Sequence, residues 1–357
     1  GNGSPEVDAL LGSAMSFGAV GVSRDDIGSD EYTGIRLSAL WKVSDEFDVL
    51  LTYINQDIEQ FGWPEVDLTL GKFEQARLPV RDGRSEGLEN EVDIINLVAN
   101  YQTTYGTITS SSSWVDYNQL SRFDLGTTFA LSLDAEGRKK VDNFVQEIRF
   151  SSSFDGPLQI LAGLYYEDRD SSRIFDNLYT GDPLLEASLL GIFLPPPLPD
   201  QFINRDFLVE DLKQKAVFGE ISYDLTENIS ATLGGRYFEY DQDAPTSSSG
   251  IFGDRFTPSF NEDSGSNYKA NLSYELSDDS LVYFQWAEGF RLGSAQSAFA
   301  LSDLCDSDGD GLAELPDGSE ITIPTSVDPD KLENFEIGFK TSIDQNISLS
   351  AAIYRFE

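Results

Sequence analysis

The chain has 357 residues and sets 62 Asp and Glu against 24 Lys and Arg, a formal net charge of −38 with no histidine. That balance repels phosphates and excludes nucleic-acid binding; zero histidine excludes Ser-His catalysis of the usual kind and imidazole ligation of haem or metal on this segment. Hydrophobic residues reach 40%, aromatics 12% and mean hydropathy −0.28, and no run approaches the roughly 18 to 20 apolar residues of a membrane-spanning helix.

In chain order, a strand is expected at 14–23, followed by six pairs of alternating strands. Each pair is joined by a tight polar turn: "VSDEFD" (43–48), "TYGT" (104–107), "SFDGP" (153–157), "DLTEN" (224–228), "LSDDS" (276–280) and "IDQN" (343–346). These carry the Gly, Asp, Asn and Pro that reversals favour. Between the hairpins, segments rich in Asp, Pro, Gly and Ser near 59–89, 124–139, 176–211, 244–266 and 292–329 read as long loops. Cys305 stands alone, which excludes an internal disulfide framework. The chain opens on "GNGSPEVD" and closes on "AAIYRFE", read as an internal piece of a longer protein.

The strands alternate. Ile35, Leu37, Ala39, Trp41 and Val43 share one face, with Arg36, Ser38 and Lys42 on the other. Leu158, Ile160, Ala162, Leu164 and Tyr166 share a face, as do Ile229, Ala231, Leu233, Gly235 and Tyr237, then Val282, Phe284 and Trp286, then Phe335, Ile337, Phe339 and Ile343. The weakest strand is 106–117, where only Ile108 and Trp114 mark an apolar face. A soluble sandwich also alternates, but its strands average about 5 to 6 residues, whereas these alternate over about 9 to 11, the length a tilted strand needs to cross a bilayer. Aromatics gather beside the short turns (Trp41, Phe47, Tyr105, Phe154, Tyr223, Tyr274) and toward the long loops (Tyr53, Tyr166, Tyr237, Trp286). Two belts around an aliphatic band fit a membrane girdle. The expected fold is therefore all-β, a transmembrane antiparallel β-barrel segment with short periplasmic turns and long extracellular loops.

Five segments carry a family resemblance: "RLSALWKVSDEFDVLLTYINQD" (36–57), "VQEIRFSSSFDGPLQILAGLYYED" (145–168), "AVFGEISYDLTENISATLGGRYFEYD" (216–241), "LVYFQWAEGFRLGS" (281–294) and "LENFEIGFKTSIDQNISLSAAIYR" (332–355). In this order they resemble TonB-dependent outer-membrane receptors, in particular the siderophore-receptor-like branch. The resemblance implies a 22-stranded barrel with a plugged lumen, of which this chain supplies about thirteen strands. It also implies energised uptake of a scarce solute such as a ferric siderophore, through a TonB-type coupling complex, in the outer membrane of a Gram-negative bacterium. The N-terminal plug, its coupling box and the closing C-terminal strands are expected to lie outside the given sequence.

The sharpest local motif is "CDSDGDGLAELPD". Asp306, Asp308, Asp310 and Gly311 stand at positions one, three, five and six of a calcium loop, Leu312 would offer its carbonyl, and Glu314 and Asp317 follow at nine and twelve. Position twelve prefers Glu, and no flanking helices are evident, so calcium would brace an extracellular loop; an acidic solvated loop is the plainer reading. No other cofactor is required. Arg36, Arg149, Arg236, Arg291, Lys42, Lys340, Glu147, Glu220 and Glu336 are expected to face the lumen, where the resemblance implies contacts with the plug. Arg236 and Arg291, nearer the outer mouth, are candidates to attract an anionic ferric chelate. The apolar stretch "LLGIFLPPPLP" (189–199) and Trp63 either fold over a solute or pack on neighbouring loops. No enzyme site stands out. The carboxylate surplus fits either divalent-cation bridges to lipopolysaccharide or solubility in a salty habitat. Two other functions stay open: a passive porin-like diffusion channel and a calcium-braced surface adhesion barrel.

Overall fold

The computed structural model describes residues 28–63, 86–124, 133–179, 202–250, 253–295, 312–314, 318–321, 326–343 and 347–357. Strands β1 (Ser29–Lys42), β2 (Phe47–Phe61), β3 (Gly87–Thr103), β4 (Gly106–Asp124), β5 (Leu133–Ser152) and β6 (Leu158–Tyr179) open the chain. They are followed by β7 (Phe202–Asp224), β8 (Ile229–Asp243), β9 (Thr246–Gly250), β10 (Arg255–Thr257), β11 (Phe260–Ser277) and β12 (Ser280–Arg291). Four two-residue strands come next: β13 (Ser294–Ala295), β14 (Ala313–Glu314), β15 (Glu320–Ile321) and β16 (Ser326–Val327). The chain closes with β17 (Asp330–Ile343) and β18 (Ile347–Phe356).

Twelve strands form one antiparallel meander, each paired with the next: β1 to β8, then β11, β12, β17 and β18. All six expected hairpins are present. The turn of the last, at 344–346, and the strand expected at 14–23 lie outside the described residues. Gly106 shows why one turn needs its residue: at φ +150° a Cβ would sit 2.2 Å from the Ser151 carbonyl oxygen, a conformation that glycine alone tolerates well. Among the described residues, no helix is long and apolar enough to cross a membrane.

The strands outrun the expected 9 to 11 residues. β5, β6 and β7 run 20, 22 and 23 residues. The loops expected at 124–139 and 176–211 shrink accordingly, because β5 begins at Leu133, β6 continues to Tyr179 and β7 begins at Phe202. The loop expected at 244–266 contains β9, β10 and the start of β11, and those expected at 59–89 and 292–329 lose their ends to strands. The physical reason is that these extensions mix charged and apolar residues on both faces, so hydropathy carries no period. Pairing continues regardless: Lys139 lies opposite Arg173, and Arg173 opposite Leu208.

Register carries each face across the sheet. Ile148, Leu164, Val217 and Tyr237 are successive partners, as are Leu272, Phe284, Ile337 and Ile353. No described part of the protein covers this face: Leu164, Leu233 and Ile337 are 60%, 65% and 60% exposed. The buried apolar cluster, Leu212, Ala216, Phe238 and Tyr240, lies on the opposite face. A sandwich would bury the continuous apolar face and expose the other. Here the order is reversed.

The apolar face also ends at a fixed height. On six strands, counting from the short-turn end, the first carboxylate on this face comes ten positions on: Phe47 to Asp57, Thr103 to Asp93, Gly106 to Asp116, Ser152 to Asp142, Leu158 to Asp168 and Ile229 to Glu239. Ten residues at about 3.3 Å each, tilted by about 45°, rise roughly 23 Å, close to the apolar band of about 25 Å on outer-membrane barrels. Just inside that limit, Trp114, Phe144 and Tyr166 touch across three strands, with ring centroids 5.2 and 6.4 Å apart. Beyond it, Asp93, Asp116, Asp142, Asp170, Asp211 and Asp243 form one unbroken row of cross-strand partners. Part of the carboxylate surplus thus collars the strands.

Candidate functional site

The face opposite the apolar band carries the candidate solute-facing groups. One register row crosses nine strands: Arg36, Ile54, Ile94, Val115, Asn143, Arg169, Leu212, Gln242 and Asn261. From β5 onward this wall carries a cross-linked polar network beside the Leu212, Ala216, Phe238 and Tyr240 cluster. Arg169 donates to Glu210 at 3.1 Å, Ser171 Oγ donates to the other Glu210 oxygen at 2.9 Å, and Gln242 Nε2 donates at 2.5 Å. Burial raises the Glu210 pKa, but the Gln242 donor, the Arg169 charge and the Ser171 hydroxyl outweigh it and hold the carboxyl below its ordinary range. Glu167 accepts from Tyr165 at 2.9 Å and from Asn143 at 3.3 Å. Asn267 is 7% exposed, and neither of its amide atoms finds a hydrogen-bond partner among the described residues. A buried amide in that state is a place for water or a ligand.

The groups expected on this wall, Arg291 apart, lie on it. Arg149 pairs with Glu147 at 3.3 Å, Glu220 with Lys269 at 2.5 Å, and Lys340 sits 5.3 Å from the Tyr283 ring centre, with the Tyr283 hydroxyl donating to Glu336. Arg36 and Lys42 share the face through their partners Ile54 and Asp48. Arg236 lies over the Tyr165 ring at 4.8 Å, inside the wall. Arg291 is at the outer end of β12, 82% exposed, in a two-bond pair with Asp330. The structure does not bring these two arginines together: one is stacked in the wall, the other engaged at the loop root.

That loop root folds across the wall. Phe290 stacks on Phe238 with centroids 3.8 Å apart, and Leu292 packs on the Leu212–Phe238–Tyr240 cluster. Of the calcium motif, Leu312 and Glu314 are described and half-buried, Glu314 standing in β14; Asp306, Asp308, Asp310 and Asp317 lie outside the described residues, as does 189–199. Trp63 packs on neighbouring chain: it stacks on Phe123 at 4.6 Å and donates to the Arg122 carbonyl at 2.9 Å. The Arg169–Glu210–Gln242 network was missed because its members stand in segments read as loops or as strand ends. Extending the β6, β7 and β8 alternation outward by a few residues would have found it.

A family model described as "TonB dependent receptor-like, beta-barrel" matches residues 24–357. Among solved structures, the ferric yersiniabactin uptake receptor FyuA from Yersinia pestis is similar, with a TM-score of 0.68 and 16% identity over 92% of this chain and 45% of that one. The siderophore receptor PiuA from Acinetobacter baumannii gives 0.62 and 15% over 93% and 50%. The unliganded ferric citrate transporter FecA gives 0.63 and 12% over 92% and 43%. The chain thus spans about half the length of the solved structures it matches. No curated protein matches it significantly.

Proposed function

Because the chain belongs to the TonB-dependent receptor-like β-barrel family, we propose that it forms wall strands of an outer-membrane receptor importing a scarce solute, a ferric siderophore foremost. Import is energised through a TonB-type coupling complex, and the barrel's lipid partners are outer-membrane phospholipid and lipopolysaccharide of a Gram-negative cell. The observation that carries the reading is the pairing of a ten-residue apolar band outside with a cross-linked polar wall inside, on a sheet shaped like known siderophore receptors. In this reading Arg236 and Arg291 draw an anionic chelate to the mouth, Arg291 by exchanging Asp330 for the chelate, since guanidinium binds carboxylates and similar anions bidentately.

The test uses the whole receptor in its own cells. Uptake of radiolabelled ferric chelates should stop when a protonophore collapses the proton gradient, with surface binding intact. Uptake that persists after collapse and rises linearly with solute concentration would instead make the protein a passive diffusion channel.

A further inference from the structure

The sheet has an unfinished seam. β11 pairs with β8 from Tyr274 up to Phe260, but with β12 only up to Lys269 opposite Ala287. β12 itself goes on, paired with β17 as far as Arg291 opposite Asp330. Continuing the β11–β12 register would set the run from Tyr268 back to Ser264 opposite the run from Glu288 to Leu292. Neither 260–268 nor 288–295 contains a proline to forbid that pairing. Instead β12 swings inward: Phe290, which alternation would place on the outer face with Phe284 and Trp286, stacks on Phe238 of the inner face at 3.8 Å. Leu292 packs on the same cluster.

The groups that β11 would offer to β12 are met by side chains. Ala244 N–H donates to the Ser259 carbonyl and Glu275 N–H to the Asn228 carbonyl, so odd-numbered residues of β11 bond toward β8 and even-numbered ones toward β12. On that free edge Tyr268 N–H donates to Glu288 Oε2 at 2.9 Å and Ser264 N–H to Asp263 Oδ1 at 2.7 Å. The Ser266 carbonyl accepts from Lys331 Nζ at 3.5 Å. Carboxylates stand in for strand carbonyls, and an amine stands in for a strand N–H. Asn267, which the register would set opposite Gly289, is buried with neither amide atom partnered among the described residues, an arrangement that costs free energy.

We propose that 288–292 is a strap with two positions. In the described one, Phe290 and Leu292 cover the Leu212–Phe238–Tyr240 cluster, and Glu288, Asp263 and Lys331 cap the open seam. In the other, 288–292 zip onto 264–268, Phe290 turns to the outer face beside Ser266, and the cluster is bared. Such a switch needs two packings of similar free energy. The first gains an aromatic stack and apolar cover; the second gains ladder hydrogen bonds and releases Asn267. A strand added by another protein is a poor occupant, because three groups of the edge are already capped and edges so protected resist pairing. The moving part is a strand of the sheet, so the inference goes beyond the receptor reading and needs no transported solute.

The test uses the full-length protein in outer membranes, freed of native cysteines with Cys305→Ser included, and reads disulfide formation under mild oxidant. Ser264→Cys with Leu292→Cys leaves Phe290 in place, and its cysteines come directly opposite only when the seam is zipped, at a Cα separation of about 5.5 Å that a disulfide spans. Phe238→Cys with Phe290→Cys reports the strap lying on the inner face. Both pairs should form, and removing two caps with Glu288→Ala and Lys331→Ala should speed the 264–292 bond on the order of tenfold. A 238–290 bond without any 264–292 bond would fix the strap inward and overturn the proposal. So would complete 264–292 bonding without the other, which would mean a permanently closed seam, or a 264–292 rate indifferent to the caps. If the Phe238→Cys variant fails to assemble, the 264–292 pair with and without the caps decides alone. Neither readout involves transport, so loss of energised uptake bears only on the receptor reading.

Discussion

Glu210 shows how a single side chain ties the wall together, since from β7 it accepts from Arg169 and Ser171 on β6 and from Gln242 on β8. Its pKa is depressed in the folded protein, so its contribution to stability is fully present above the unfolded carboxylate value. That contribution is lost as pH falls through the lower folded value. Thermal unfolding of wild type and Glu210→Gln should therefore differ most near neutral pH and converge only once pH has fallen through the lowered carboxylate range; a gap that stays constant with pH would show that the carboxylate charge is not what matters. At the same scale, we propose that Asp306, Asp308, Asp310, Leu312, Glu314 and Asp317 bind calcium, since alternate carboxylates suit a hard cation. Chelation should speed proteolysis within 300–320, and calcium should reverse the effect while magnesium should not.

β8 is the clearest test of a strand as an element. Leu233 lies midway between the short turn and Glu239, with Ile221 and Ala270 as its outward neighbours. Leu233→Arg should cost about 2 to 4 kcal/mol in folding into bilayers, the penalty for a cation at mid-depth, while Thr232→Arg on the inner face should cost less than about 1 kcal/mol. Equal costs would mean that both faces meet the same environment. Ile229–Tyr237 was legible in the sequence because small or polar and apolar residues alternate without a break. Phe144, which completes the aromatic contact between Trp114 and Tyr166, was not, because Gln146 and Asp142 flank it and interrupt the apolar period. The inward Ile54 and Ile94 were hidden for a different reason: in "DVLLTYI" and "DIINLVA" apolar residues fall on both faces, so no face stands out. Arg169 and Glu210, 41 residues apart, meet only through the β6–β7 register, which no local pattern encodes.

At the scale of the whole molecule, charge is sorted by height and by face. A net of −38 spread evenly would place carboxylates on every surface. Instead the outward face is free of carboxylates for ten residues on six strands, and then Asp93, Asp116, Asp142, Asp170, Asp211 and Asp243 stand side by side. Like charges directly opposite one another destabilise a sheet, so such a row persists only where water and counter-ions screen it. In the receptor reading proposed above, the row marks where hydrocarbon stops. The measurement that tests this most directly is a nitroxide scan along Leu158–Arg173 of the full-length receptor in bilayers, reading collisions with oxygen and with a water-soluble nickel chelate. At 160, 162, 164 and 166 oxygen should dominate, with intervening positions favouring nickel and the preference reversing on the outward face from Asp168 onward. Equal nickel access at every outward position from 158 to 172 would contradict the account.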